Sequence, residues 1–176
     1  MKYEVIDNFL DEEYFDSLVT LFTDKEKSGN IMMPWYFNSS IVYDKVVENK
    51  LFYMYHVFYE ENVPMSSHYE SLFPLLEKLE VKALIRIKAN LYPNTEILHE
   101  HPMHFDYPFS HSSALLSLNT CDGYTKLKDG TKIDSIANRI LLFDPSEEHC
   151  STTTTNVLAR ININMNYIQE QFHEMK

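Results

Sequence analysis

Apolar residues recur at helical spacing in the first third of the chain, and from Val81 onward they alternate. Asp11 can cap a helix over residues 12–24, because its carboxylate accepts from the free N–H groups of a first turn. Phe15, Leu18, Val19 and Phe22 then share one face. A second helix is predicted over 67–79, with Leu72, Leu75, Leu76 and Leu79 inward and its regular part starting near Pro74. Between them, residues 31–47 alternate weakly and read as a strand or loop with Trp35 buried. The aromatic-rich stretch 49–63 (Phe52, Tyr53, Tyr55, Phe58, Tyr59) fits helix and strand equally.

The later pattern has period two. In 83–92 the odd positions are apolar and the even ones include Arg86, Lys88, Asn90 and Tyr92. Residues 113–119 and 139–143 read as further strands. The clearest is 156–167. Ala159, Ile161, Ile163, Met165 and Tyr167 line one face, and Arg160, Asn162, Asn164 and Asn166 the other. Asp122-Gly123 and Asp129-Gly130 mark turns. Helices followed by many short strands predict an α+β fold with an antiparallel sandwich or barrel.

A chain of 176 residues makes one domain. Residues 1–80 would form helical support and a lid, and 81–170 a barrel core. Fifteen basic residues against 26 acidic ones leave a net charge of −11. That balance argues against a nucleic-acid-binding surface, which needs Lys and Arg against phosphate, and against an anionic membrane. Two cysteines make no disulfide scaffold. Residues 1–10 lack the apolar run of a signal peptide, and no stretch approaches a membrane span. The reading is a cytoplasmic protein. With three glycines and no G-x-G-x-x-G, phosphate loops are nearly excluded.

The chemistry-bearing groups are His104-Phe105-Asp106, His149 and Arg160. On an extended strand, residues i and i+2 point the same way, so His104 and Asp106 would present an imidazole and a carboxylate to one point. His149 can supply the third corner. Two histidines and one carboxylate on one face of an octahedron are the ligand set of non-haem Fe(II) oxygenases, with positions open for cosubstrate and O2. Arg160, eleven residues after His149, could return into the same cavity and offer a bidentate fork to a carboxylate. The Asn-rich face of its strand implies water or a polar cavity on that side.

At this point the sequence resembles a family. Tyr92-Pro93, His104-Phe105-Asp106, the run 118–125, the run 138–144, His149 and Arg160-Ile161-Asn162 are similar to the Fe(II)/2-oxoglutarate-dependent oxygenases. The branch is the prolyl-hydroxylase-like one, found in many phage and bacterial proteins. The resemblance implies a double-stranded β-helix, a jelly-roll or cupin-like barrel, with N-terminal helices packed on one sheet. It implies that His104, Asp106 and His149 bind Fe(II) and that Arg160 binds the far carboxylate of 2-oxoglutarate. Asn162 and Tyr92 would add polar contacts. The implied activity is a dioxygenase that uses O2 to hydroxylate a peptidyl residue of the proline type or a small metabolite, releasing succinate and CO2.

Other assignments stay open. His99 and His101 share a strand face and could ligate a metal with His149 in a non-oxygenase cupin, or lie on a solvated loop beside Pro102. A catalytically silent barrel used as a binding module is a further alternative. Asn119, near the centre of a strand, either faces the lumen as a cofactor contact or is structural. Arg86 and Lys88 either touch substrate or face solvent. Asn164 and Asn166 read as rim residues, His56 and His111 as structural or surface groups, and His68 as a helix cap. Arg139 would close a turn through backbone carbonyls. Cys150, next to the distal histidine, is a candidate oxidation target.

Overall fold

The computed structural model describes residues 2–23, 33–39 and 51–169. The expected helix end at Asp24 and the stretch 40–47 lie outside them. Helix α1 (Glu12–Thr23) starts where the cap predicts: the Asp11 carboxylate accepts from the Tyr14 amide at 2.9 Å. Its buried face is Phe15, Leu18 and Phe22. The second predicted helix is a one-turn segment, Tyr69–Leu72, running into α2 (Phe73–Lys78), with Pro74 in the first turn of α2. Tyr14 ties the two together by donating to the Ser71 carbonyl at 2.8 Å.

Eleven strands follow in chain order among the described residues: β1 (Tyr3–Ile6), β2 (Tyr36–Asn38), β3 (Tyr53–Glu60), β4 (Val63–Pro64), β5 (Ala83–Pro93), β6 (Ser112–Ser117), β7 (Tyr124–Leu127), β8 (Lys132–Asp134), β9 (Ile140–Phe143), β10 (His149–Cys150) and β11 (Ala159–Ile168). The ambiguous aromatic stretch is therefore a strand. β1, β7, β8 and β10 are too short to show a period. Trp35 is half-buried, packed against Phe22 at 5.7 Å between ring centroids, rather than fully enclosed.

The larger sheet has the order β1-β9-β6-β11-β5-β3-β2, with β4 paired to β3. The smaller is β10-β7-β8. Both are antiparallel throughout. They form a double-stranded β-helix of two separate ladders rather than a closed barrel.

β11 occupies the middle of the larger sheet, between β6 and β5, and its alternation divides the molecule. Ile161, Ile163, Met165 and Tyr167 join Phe15, Leu18, Leu72 and Leu75 in the main core. The helices thus pack on one face of the larger sheet, as the period-two pattern demands. The smaller sheet covers part of the other face, where Leu127 meets Leu141 and Phe143 in a second, smaller core. The polar row of β11 points into the space between the sheets.

Candidate metal centre

Within that space, one group of metal-ligating side chains is assembled among the described residues: His104, Asp106 and His149, each offering an atom within 4.8 Å of the others. Two local structures make this geometry. His104 and His149 form an antiparallel bridge, with each amide donating to the other's carbonyl (2.9 and 2.8 Å). Asp106 follows two residues later and hangs its amide on the Pro145 carbonyl at 2.9 Å. The chain is extended only briefly at His104, yet the i, i+2 rule still sends both side chains to one side. The imidazoles lie 4.6 Å apart.

Both histidines are held in the tautomer that a metal needs. Nδ1 of His104 faces the Pro102 carbonyl at 3.3 Å and Nδ1 of His149 faces the Glu147 carbonyl at 3.0 Å. A carbonyl can only accept, so each Nδ1 carries the proton and each Nε2 keeps its lone pair. Burial first, and the neighbouring His149 next, bring the His104 pKa down to about 4, so it is neutral at pH 7.

Asp106 is held from behind. Its Oδ2 accepts from the Asn164 and Asn166 amides, each at 3.0 Å. The Asn164 carbonyl accepts from Ser113 Oγ (3.0 Å), and the Asn166 carbonyl lies 3.0 Å from His111 Nε2. Oδ1 faces His104 Nε2 at 3.9 Å and Arg86 Nη2 at 3.5 Å. Burial raises the Asp106 pKa, but Arg86, His149, Asn164 and His104 together bring it down to about 2. The group is a carboxylate with one oxygen committed to the two amides and the other facing Arg86 and His104. Asn164 and Asn166, read from sequence as rim residues, are the clamp on the carboxylate. His111 is their buried support. An Asn on the polar face of a buried strand was the available signal.

Arg160 lies at the other end of the polar row, 1 % exposed. Its Nη2 donates to Thr125 Oγ1 (2.9 Å) and Nη1 to the Thr152 carbonyl (3.4 Å). Nε is buried without a partner. No carboxylate lies within 4 Å of it among the described residues. A buried guanidinium satisfied only by neutral oxygens suits an anionic ligand. Gly123 makes room for it: a Cβ there would stand 2.8 Å from Arg160 Cδ and 2.7 Å from the Thr153 carbonyl. Tyr92 packs its ring 5.7 Å from the guanidinium. Burial raises the Tyr92 pKa, and Ser151 lowers it by hydrogen bonding.

Asn162 and Asn90, paired across β11 and β5, line a cavity with His104, His149 and Thr125, the residue that accepts from the Arg160 guanidinium. Asn90 Nδ2 donates to Asn162 Oδ1 at 3.0 Å, and Asn90 Oδ1 is a buried acceptor without a donor. The enclosed space is narrow, about 40 Å³, room for a few waters.

Two sequence expectations resolve differently. Asn119 does not reach the cavity. Its Nδ2 donates to the Ala159 carbonyl (2.8 Å) and its Oδ1 accepts from the Ile161 amide (2.9 Å), so both ends are used to hold the start of β11. His101 is buried beside Tyr92 with Nδ1 on Ser151 Oγ (2.8 Å), and neither it nor His99 joins the metal-ligating group. Burial and then Arg160 bring the His101 pKa down to about 3. Arg139 closes its turn weakly, through the Asp134 carbonyl at 3.5 Å, and chiefly forms a two-pronged ion pair with Asp7. Cys150 is buried and its thiol pKa is raised by that burial, the opposite of a reactive thiolate.

No protein-family model matches the sequence, and no curated protein matches it. Solved structures do match the fold. A prolyl-4-hydroxylase of Pseudomonas putida superposes with a TM-score of 0.63 at 14% identity, over 95% of this chain and 92% of that one. A 2OG-Fe(II) oxygenase-family oxidoreductase of Burkholderia pseudomallei gives 0.64 at 11%, over 96% and 86%. A prolyl hydroxylase of Trichoplax adhaerens, solved with a peptide of the hypoxia inducible factor oxygen degradation domain, gives 0.67 at 17%, over 95% and 83%. The chain has the double-stranded β-helix fold of the prolyl-hydroxylase-like 2-oxoglutarate oxygenases.

Proposed function

We propose that the protein is an Fe(II)- and 2-oxoglutarate-dependent dioxygenase. It hydroxylates a peptidyl residue of the proline type or a small metabolite. The observation that carries this is a pairing around one cavity: His104 and His149 of a His-Asp-His group line it, and Thr125, also in its wall, holds a buried arginine with no carboxylate partner among the described residues behind it. The two Nε2 atoms and the anionic Asp106 suit a divalent cation, and a guanidinium bonded only to neutral oxygens suits a dicarboxylate reaching from it. The prolyl hydroxylases among the structural neighbours support the peptide reading.

When bound, Fe(II) with 2-oxoglutarate supplies oxidation of a C–H bond by O2, with succinate and CO2 as coproducts. The protein's share is positioning and exclusion of water. His104, Asp106 and His149 would hold the cation from one side. Arg160 would grip the distal carboxylate with Thr125 fixing the guanidinium, and Asn162 and Tyr92 would line the path between. The chain needs no general base for this chemistry. We read residues 1–176 as a single oxygenase domain, with 1–80 supporting and lidding the core in 81–170. Packing of Leu18 and Phe22 behind β11 supports this. No described helix is long and apolar enough to cross a membrane. The two unpaired thiols suit a reducing cytoplasm.

The test is an anaerobic titration of metal-free protein with Fe(II), then 2-oxoglutarate. The expected result is a visible charge-transfer band that requires both and weakens in Arg160→Ala. No band, with no metal retained, would overturn the proposal.

A further inference from the structure

Arg86, Lys88, Asn90 and Tyr92 share one face of β5. The last two line the cavity, and Arg86 reaches Asp106. Lys88 sits between them, directly across from Asn164, one of the two clamps on Asp106. Its surroundings are unusual for an ammonium. It is half-buried, and among the described residues no carboxylate lies within 4 Å of Nζ. The hydrogen-bond partner is the Tyr53 hydroxyl at 3.5 Å, with the Tyr53 ring 5.3 Å away. Asp106 and Glu60 act on it only at longer range, and Arg86 opposes its charge. Burial first, and Arg86 next, lower its pKa to about 8. Arg86 is the second half of the pair. Its guanidinium lies 5.3 Å from the Tyr107 ring and its Nε is buried without a partner.

Among the described residues, Arg86 has Asp106 as its one carboxylate, whereas the Lys88 ammonium beside it has none, which is costly at a half-buried site unless something answers it. Arg160 already accounts for the cosubstrate's distal carboxylate, at the opposite end of the polar row. We propose that Lys88, with Arg86 beside it, is the seat of an anionic group, carboxylate or phosphate, carried by the substrate. The inference rests on the oxygenase reading above and narrows its substrate to an acid. The Tyr53 ring flanks the Lys88 ammonium and the Tyr107 ring the Arg86 guanidinium, each at 5.3 Å. An overall acidic protein repels such a substrate at long range, so recognition depends on this local pair.

The experiment is protection of Lys88 from acetylation by a neutral amine-reactive ester, quantified by peptide mass spectrometry. Protein is loaded with Mn(II) and 2-oxoglutarate. Acetate and inorganic phosphate are the probes, and acetamide and sodium chloride at matched ionic strength are the controls. The expected result is that Lys88 acetylation slows about tenfold when a probe stands at ten times its Kd. Acetamide and chloride change nothing, and the other lysines react as before. Protection by acetate identifies a carboxylate source, protection by phosphate a phosphate ester, and protection by both the shared chemistry. Absence of protection by either anion overturns the proposal. So does protection that disappears once 2-oxoglutarate is bound, because the ammonium then belongs to the cosubstrate. The oxygenase reading is tested separately in the same samples: failure of the wild type to bind Mn(II) overturns that reading, while the metal-free protein still reports on the anion seat.

Discussion

Asn166 donates its side-chain amide to Oδ2 of Asp106 at 3.0 Å, and Asn164 gives the same oxygen a second bond. Oδ1 is thereby left facing His104. A carboxylate fixed in this way needs no reorganisation to meet a cation. Asn166→Ala is expected to weaken Mn(II) affinity about 10- to 100-fold, the usual range for a lost outer partner of a ligand. Electron paramagnetic resonance of free Mn(II) would report it. Unchanged affinity would mean that Asn164 and Arg86 suffice to orient the carboxylate.

Among the described residues, His104 and His149 belong to a group that could hold a metal ion, and His101 does not. Replacing either of the first two by alanine should abolish metal-dependent succinate formation. His101→Ala should keep stoichiometric metal by elemental analysis. Metal loss in the His101 variant with retention in Asp106→Ala would restore the cupin alternative.

Gly123 lets the chain pass against Arg160. A methyl group there meets the backbone oxygen of Thr153 at 2.7 Å, which cannot step aside as a flexible side chain can. Gly123→Ala should cost about 1–3 kcal/mol in urea unfolding and raise the half-saturating 2-oxoglutarate concentration by an order of magnitude. Gly130→Ala is the matched control. Its φ of +89° strains alanine, but nothing lies within 4 Å of the added carbon, so cosubstrate binding should not change.

Metal-free protein should lose stability as pH falls. His101 and His104 have folded pKa values of about 3 and about 4, below the ordinary 6.5 of the unfolded chain. Between those limits the unfolded state binds more protons than the folded one, so unfolding gains as protons are added. The loss begins near pH 6.5. It levels off for His104 near 4 and for His101 near 3. Its total is on the order of a few kcal/mol. Urea midpoints at pH 7, 6, 5 and 4 in the presence of chelator would show the trend. A flat profile would contradict the burial of these rings.

The larger features were legible because they are periodic. β11 announced both of its faces, since a central strand with helices on one side and a cavity on the other must alternate strictly. The spacing of His104, Asp106 and His149 pointed to three side chains that the fold brings within 4.8 Å of one another. Short elements were not legible: β10 is two residues long, and its partner β7 four, too few for any period to appear. Asn119 misled because a mid-strand amide on a cavity-lined sheet and an amide that staples a neighbouring strand look identical until the neighbour is known. Asn164 and Asn166 misled in the opposite sense. Their task depends on where the loop carrying Asp106 comes to rest, sixty residues away in sequence for Asn166.

The reciprocal backbone bonds between His104 and His149 carry one more consequence. Two of the three corners are tied by main chain rather than by the ion, so the cradle stands ready before any ion arrives. Chelation should therefore empty it without melting the sheets, and reloading should be quick and complete, with no refolding step. An ion bound there would be a replaceable tool, not a rivet.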